Sequence, residues 1–485
     1  MDIWNLRGGQ LRFLTDQQLR EIHFAALDVL QRVGCFFDHE GALKIFEEAG
    51  ARVDHQARVV RFPSSLVEHA LAQTPDRIHL PARNPEYDIY AEQDRVYFGP
   101  GTLSIKVIDP FTGKCRLGTL QDARDFPRLI DALENIHFYK GMIHPSDVNQ
   151  KLADLYMAYA AFSNTVKQIS NTPYSTETAL DMIRMGEILA GGMDEFRIKP
   201  YIILNMLAVS PLQWEYTNVD IIIELAKLGV PMIIGSEPQN GTTGPATLAG
   251  ALVLNTAETL AGITLAELVS PGVPVMWGNV GSLSDMRTGL FASGAVELGI
   301  MNVAATQIAK FYRLPIYATG GMTDSKTSDC QAGYEKALQA LLIALGGGNY
   351  IHDAAGLLES CLTSSYEQYV IDNEILGMVA RVLSGIEVSR ETLAVDVIEK
   401  VGPRGNFLGE MHTLRSISRE HFIPKISNRQ IREDWEKEGK KTVMEVAREK
   451  ACQILNTHQV PPLPEDVDRE FRLILEKAEE GYGRA

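Results

Sequence analysis

The chain has 485 residues, 45% of them apolar and 22% charged, enough to bury a large core and to hold more than one structural region. Its 62 acidic residues outnumber 46 basic ones, and a formal net charge of −16 repels phosphate backbones, which argues against nucleic acid as a partner. The five cysteines (Cys35, Cys115, Cys330, Cys361 and Cys452) form no CxxC or close Cys/His cluster, so neither a disulfide scaffold nor a structural zinc is expected. The longest apolar stretches, such as 221–234, are broken by charge, Gly or Pro short of the roughly 18 apolar residues a membrane span needs. The first residues lack a basic start followed by an apolar run, and the expected location is the cytoplasm, with no membrane partner.

In chain order, Thr15 opens a helix with Gln18 as capping-box partner, and Leu19, Ile22, Ala26, Val29 and Val33 follow at helical spacing. A second amphipathic segment ends near Gly50 and a third begins after Pro63. Residues 95–118 hold two β-rich runs joined by the turn signal Asp109-Pro110-Phe111-Thr112-Gly113, which predicts a hairpin. From about residue 119 short apolar runs alternate with helical stretches. The candidate strands are 137–143, 166–171, 201–208, 231–236, 274–279, 315–320, 349–354 and a weaker 393–399. Eight such units favour a (β/α)8 TIM barrel over an open doubly wound sheet. No strand is followed by GxGxxG, and Gly346-Gly347-Gly348 precedes a strand instead of following one. The fold class is therefore α/β: N-terminal helices and a β-hairpin over 1–118, the barrel over 119–400, and a C-terminal helical extension over 401–485.

Barrel chemistry sits at the C-terminal strand ends. Those ends present His144, Asn171, Asn205 with Ser210, Ser236 with Glu237, Trp277 with Asn279, the run 319–324, and His352 with Asp353. The set is polar but mostly uncharged, and it contains no lysine of the kind a Schiff-base enzyme places on a strand. His144, Glu237, Asp324 and His352 would serve a metal-dependent hydrolase or lyase, yet no spacing requires a metal and none is expected. The aromatic residues are more suggestive. Tyr97 and Phe98 precede Gly99-Pro100-Gly101, while Trp277, Tyr317, Tyr350, Tyr366 and Tyr369 lie on or near late strands. A cage of aromatic faces holds a quaternary ammonium, which donates no hydrogen bond, at about 0.5–2 kcal/mol per ring. Each ring also fits an ordinary packing role. His352 reads as a carboxylate binder, an acid, or a hydrogen-bonded barrel residue; Arg287 as a carboxylate partner or a surface ion pair; Asp324 and Lys326 as pocket-shaping or helix-capping residues.

Three stretches carry a resemblance: YFGPGTLS, then YATGGMTDSKTSDCQAGYEKALQALLIALGGGNYIHDAAGLLES, and the closing VGPRGNFLGEMHTLR. Together they resemble the trimethylamine methyltransferase superfamily over nearly the whole chain. The resemblance implies a (β/α)8 barrel that passes a methyl group from an amine to the cobalt of a corrinoid carried by a partner protein. That corrinoid alternates between cob(I)alamin and methylcob(III)alamin forms. Founding members carry pyrrolysine, whereas this sequence holds only standard residues. Relatives without it act on quaternary amines, so glycine betaine becomes the first candidate substrate, giving dimethylglycine, with proline betaine or carnitine behind it. A quaternary ammonium leaves as a neutral amine and needs no acid.

The residues assigned from the sequence are Tyr97, Phe98, Trp277 and Tyr350 as cage, with Asn279 and Tyr317 beside the substrate. His352 and Arg287 are the candidate carboxylate anchors, and His352 and Asp324 the candidate catalytic pair. A homo-oligomer is expected, because the helical tail leaves apolar faces to cover. A non-catalytic betaine-binding protein is the competitor outside the enzymes.

Overall fold

The computed structural model describes residues 3–482 except residue 102; Thr102, inside the GPGTLS motif, lies outside the described residues. Eight strands form one parallel sheet: β1 (Tyr97–Phe98), β2 (Phe138–Lys140), β3 (Gln168–Asn171), β4 (Ile202–Ala208), β5 (Met232–Ser236), β6 (Val275–Asn279), β7 (Ile316–Thr319) and β8 (Tyr350–His352). Their order around the sheet is β1-β8-β7-β6-β5-β4-β3-β2. Closure between β1 and β2 is made by His137. Its backbone N–H donates to Phe98 O at 2.6 Å, and Phe98 N–H donates to its Nδ1 at 3.0 Å, so an imidazole replaces one ladder acceptor. The ring proton therefore lies on Nε2, which bonds Ile3 O at 2.7 Å, and burial holds the imidazole neutral with its pKa lowered to about 4.

The count of eight agrees with the sequence pattern, but one strand has moved. Residues 393–399, expected as the eighth strand, lie in two short helices, Arg390–Leu393 and Val395–Val401. The missing strand is β1, two residues at the head of the region expected as a hairpin. The hairpin itself is Lys106–Ile108 against Cys115–Leu117, closed by the Asp109 turn. A two-residue strand carries no periodicity to detect, whereas Val, Ile and Leu near 395 imitate one.

Eight helices follow the strands: Leu120–Asp131, Ala153–Asn164, Thr176–Ala190, Tyr216–Leu228, Leu248–Val269, Val296–Phe311, Cys330–Gly346 and Tyr366–Leu383. Helix Leu248–Val269 is apolar on all sides and is long enough to cross a membrane, but 78% of its apolar window is buried. The N-terminal helices Asp16–Arg32 and Ser64–Gln73 cover its outer face, so both sides need apolar residues. The capping box read from Thr15 and Gln18 is present. Helices Val443–Thr457 and Glu465–Tyr482 pack on the outside of the ring, with Phe471 edge-on to Phe162 at 5.4 Å.

The N-terminal end of the barrel is sealed. The hairpin Arg77–Leu80/Ile89–Glu92 places Ile78, Leu80, Ile89 and Ala91 in one cluster with Tyr97, Phe138, Ile203, Ile233, Met276, Tyr317 and Tyr350. Access to the barrel axis is thus left to the C-terminal mouth.

A candidate active site at the barrel mouth

Strand alternation decides which side chains enter the barrel. Lys140, Asn205, Tyr317 and His352 point inward, and with Glu237, Thr172 and Tyr174 they line a cavity of about 200 Å³. Leu103, Met157, Leu207 and Val280 complete an apolar rim. The cavity is smaller than the roughly 300–1,000 Å³ clefts that hold drug-sized ligands, so it suits one small compound.

Lys140 Nζ, at 4% residue exposure, donates to Tyr317 OH at 2.6 Å and to Asn205 Oδ1 at 3.1 Å, both neutral acceptors. Burial lowers its pKa to about 8, against the pull of the Asp353 and Glu237 carboxylates. Glu237 follows β5 at the mouth. Its carboxyl is open to the cavity but ringed by protein, and this poor solvation, with Asp353 nearby, raises its pKa to about 7. Thr319 donates to Asn279 O at 3.0 Å and so accepts from His352 Nε2 at 2.6 Å. The other imidazole nitrogen lies 3.1 Å from Asp353 Oδ2, both side chains being 1% exposed. Burial lowers the His352 pKa while Asp353 opposes that shift. The Tyr317 ring stacks on His352 at 3.7 Å and 10°, fixing the orientation of both. Asp353 itself has φ +62°, a left-handed conformation held by its buried surroundings.

The GPG motif now has a physical role. A Cβ on Gly101 would stand 1.4 Å from Asp353 Oδ1, and one on Gly99 would meet the Phe138 ring at 2.1 Å. The glycines make room for a carboxylate and a ring, which is the close approach the sequence suggested.

Of the residues expected at the site, His352 and Tyr317 line the cavity. The expected cage is not assembled there. Tyr350 lies beneath, stacked on Phe138 at 3.5 Å and donating to Gln168 Oε1, and Tyr97 sits in the floor with its hydroxyl accepting from Tyr90 N. Phe98 and Trp277 face the helical layer, Trp277 stacking on Tyr312 at 5.4 Å. Asn279 donates to Asn302 on the helix behind it. Arg287 is 90% exposed and paired with Asp285. Asp324 accepts from Ser293 N, Ser293 Oγ, Gly294 N and Ser360 Oγ, and so ties two loops together outside the cavity. Among the described residues, no three His, Cys, Asp or Glu side chains group closely enough to hold a metal ion. His144, the fourth ligand on paper, is spent on Tyr174 OH and Gln150 Oε1.

The expectation of a lysine-free, mostly uncharged mouth is corrected by Lys140. An apolar run over 137–143 hides it, because β2 ends at Lys140 itself. A lysine inside a short apolar β run, as in Phe138-Tyr139-Lys140, was the available signal, because buried lysines need a reason.

The family model described as trimethylamine methyltransferase (MTTB) matches residues 5–483. The chain belongs to the trimethylamine methyltransferase family. A protein of Desulfitobacterium hafniense strain DCB-2 named trimethylamine methyltransferase MttB is 36% identical over 480 residues, covering 99% of this chain and 96% of that protein. The glycine betaine methyltransferase of strain Y51 is 35% identical over 463 residues, 95% and 96% of the two chains. Trimethylamine methyltransferase MttB of Methanosarcina thermophila is 35% identical over 477 residues, 96% and 97% of the two. The protein is thus a methyltransferase of this family.

Proposed function

We propose that the protein transfers a methyl group from a small quaternary amine, glycine betaine first and proline betaine or carnitine next, to the corrinoid of a cognate partner protein. One observation carries this reading: the Glu237 carboxylate stands with the Tyr174 and Tyr317 rings around a single small cavity. A carboxylate poorly solvated by water, flanked by aromatic rings, favours a cation that offers no hydrogen bond. A corrinoid macrocycle is too large for the 200 Å³ cavity, so its face would meet the substrate at the mouth. When bound there, reduced corrinoid cobalt supplies the nucleophile that takes the methyl group.

This chain's residues act by placement. The floor sealed by the hairpin 77–92 limits how deep the substrate sits. The packed rings of Tyr317 and His352 hold one wall rigid, and the apolar rim of Leu103, Leu207 and Val280 limits water around the methyl group. The amine leaves neutral, so no side chain has to protonate it. The absence of pyrrolysine agrees with a quaternary substrate, and one of the relatives above is named for glycine betaine. The enzyme works in the cytoplasm as a homo-oligomer, with Ile386, Val388, Leu408 and Leu414 as exposed apolar side chains for subunit contact.

The test is the visible spectrum of reduced cobalamin, or of a reduced corrinoid protein, mixed with the enzyme and each amine in turn. Methylation of the corrinoid with glycine betaine, and dimethylglycine as product, is the expected result. No spectral change with glycine betaine, proline betaine or carnitine would overturn the reading.

A further inference from the structure

Lys140 is the feature of the cavity that methyl transfer from a simple quaternary cation does not use. A site built only to bind a cation gains nothing from a buried lysine, because the two charges repel. Lys140 nevertheless lines the same cavity as Glu237, and the Asp353 and Glu237 charges act on it while its hydrogen bonds go to neutral groups. Its ammonium has three protons and two acceptors, Asn205 Oδ1 and Tyr317 OH, and neither acceptor carries charge. Asn205 Oδ1 is held in place by a second donor, Thr172 Oγ1 at 2.8 Å, so the lysine is fixed rather than floating.

The two charges also sit at different depths. Asn205, the partner of Lys140, pairs with Ile233, four residues before Glu237. Lys140 is only 4% exposed, whereas Glu237, beyond the end of β5, is exposed to the cavity, and each feels the other's charge. A positive group therefore lies deep and a negative group lies at the opening of one small cavity.

We infer that Lys140 seats the carboxylate of the substrate, so that the enzyme takes zwitterionic quaternary amines bound carboxylate-down, with the ammonium methyl groups presented at the mouth beside Glu237. The inference rests on the methyl-transfer reading above and adds its specificity. A carboxylate on Lys140 would take the third proton in a charge-assisted hydrogen bond and relieve a buried cation that has only neutral hydrogen-bond partners. It also sets the direction of the substrate. The reverse orientation would put carboxylate beside Glu237 and cation beside Lys140, two repulsive contacts. Choline has the same head group with a hydroxymethyl group in place of the carboxylate, and it brings no charge to Lys140.

Calorimetric titration of the full-length protein with glycine betaine and with choline tests this. Wild-type protein is expected to bind glycine betaine at least about ten-fold more tightly than choline. Lys140→Met is expected to lose that preference by weakening glycine betaine alone, and Glu237→Gln to weaken both ligands. Wild-type protein that binds choline as tightly as glycine betaine would overturn the carboxylate seat, as would a folded Lys140→Met protein that keeps the preference. Either result leaves the methyl-transfer reading standing. If wild-type protein binds neither ligand and methylates no corrinoid, the underlying reading fails first. The wild-type comparison needs no variant and holds even if Lys140→Met does not fold.

Discussion

The two ends of the barrel each bury a lysine, and the two differ in what they do with their protons. At the N-terminal end, Lys167 donates to the carbonyls of Ile130, Leu133 and Ile136 at 2.5–2.7 Å, so all three protons are spent on backbone left open where helix Leu120–Asp131 ends. Toward the C-terminal end, Lys140 spends two protons deep in the cavity whose opening holds Glu237. Burial depresses both, Lys167 to about 7 and Lys140 to about 8. The depression alone thus does not separate the structural lysine from the one at the cavity. A shifted pKa marks burial, while an unspent donor beside a cavity marks a binding site.

Exchanging each lysine for methionine should give opposite results. Lys167→Met leaves three buried carbonyls without a donor and is expected to lower stability by about 3 kcal/mol, measured by denaturant unfolding. Its preference for glycine betaine over choline should be unchanged. Lys140→Met should lower kcat/KM for glycine betaine at least about ten-fold with no loss of stability, because an apolar side chain of similar volume replaces a buried cation. A stability loss at Lys140 as large as that at Lys167 would erase the distinction.

Gly101→Ala tests the mouth through its backbone. The added Cβ overlaps the Asp353 carboxylate, and a loss of about 1–3 kcal/mol in thermal unfolding is expected, with reduced turnover. An unaffected enzyme would show that Asp353 moves freely.

The pH dependence sharpens the comparison further. Glycine betaine binding needs Glu237 ionised and Lys140 protonated; His352 and Tyr317 line the same cavity, and Asp353 is buried beside His352. Binding should rise through about pH 7 and fall through about pH 8, the values to which burial moves the two groups. Glu237→Gln should flatten the acid limb and Lys140→Met the alkaline limb. The stability signs follow by linkage. Glu237, raised in the folded state, contributes stability below its unfolded value that is lost as pH climbs through about 7. Lys140, depressed, contributes stability above its unfolded value that is lost as pH falls through about 8.

Arg287→Ala should have the smallest effect. Its side chain is 90% exposed on Asp285, and kcat/KM for glycine betaine should stay within about two-fold of wild type. A larger fall would restore Arg287 as an anchor and require its loop to close over the mouth.

The sequence by itself determined the strand–helix rhythm, seven of the eight barrel strands, the capped first helix and the family resemblance. These depend on local periodicity and on residues close in the chain, such as Thr15 with Gln18. It also marked Glu237, His352 and Asp353 as strand-end residues, and the GPG glycines as a place of close approach. Tertiary structure alone decided which side of each strand faces the axis. In Val275-Met276-Trp277, the methionine belongs to the barrel floor and the tryptophan packs among the helices, yet both are apolar and buried. Parallel barrel strands are covered on both faces, so their sequences carry no polar alternation to reveal the inward side. For the same reason Phe98 and Trp277 passed for cage residues, and Lys140 passed for the interior of a strand. Its meaning depends on Asn205, Tyr317 and Glu237, which lie 65, 177 and 97 residues away in the chain and meet only when the barrel closes.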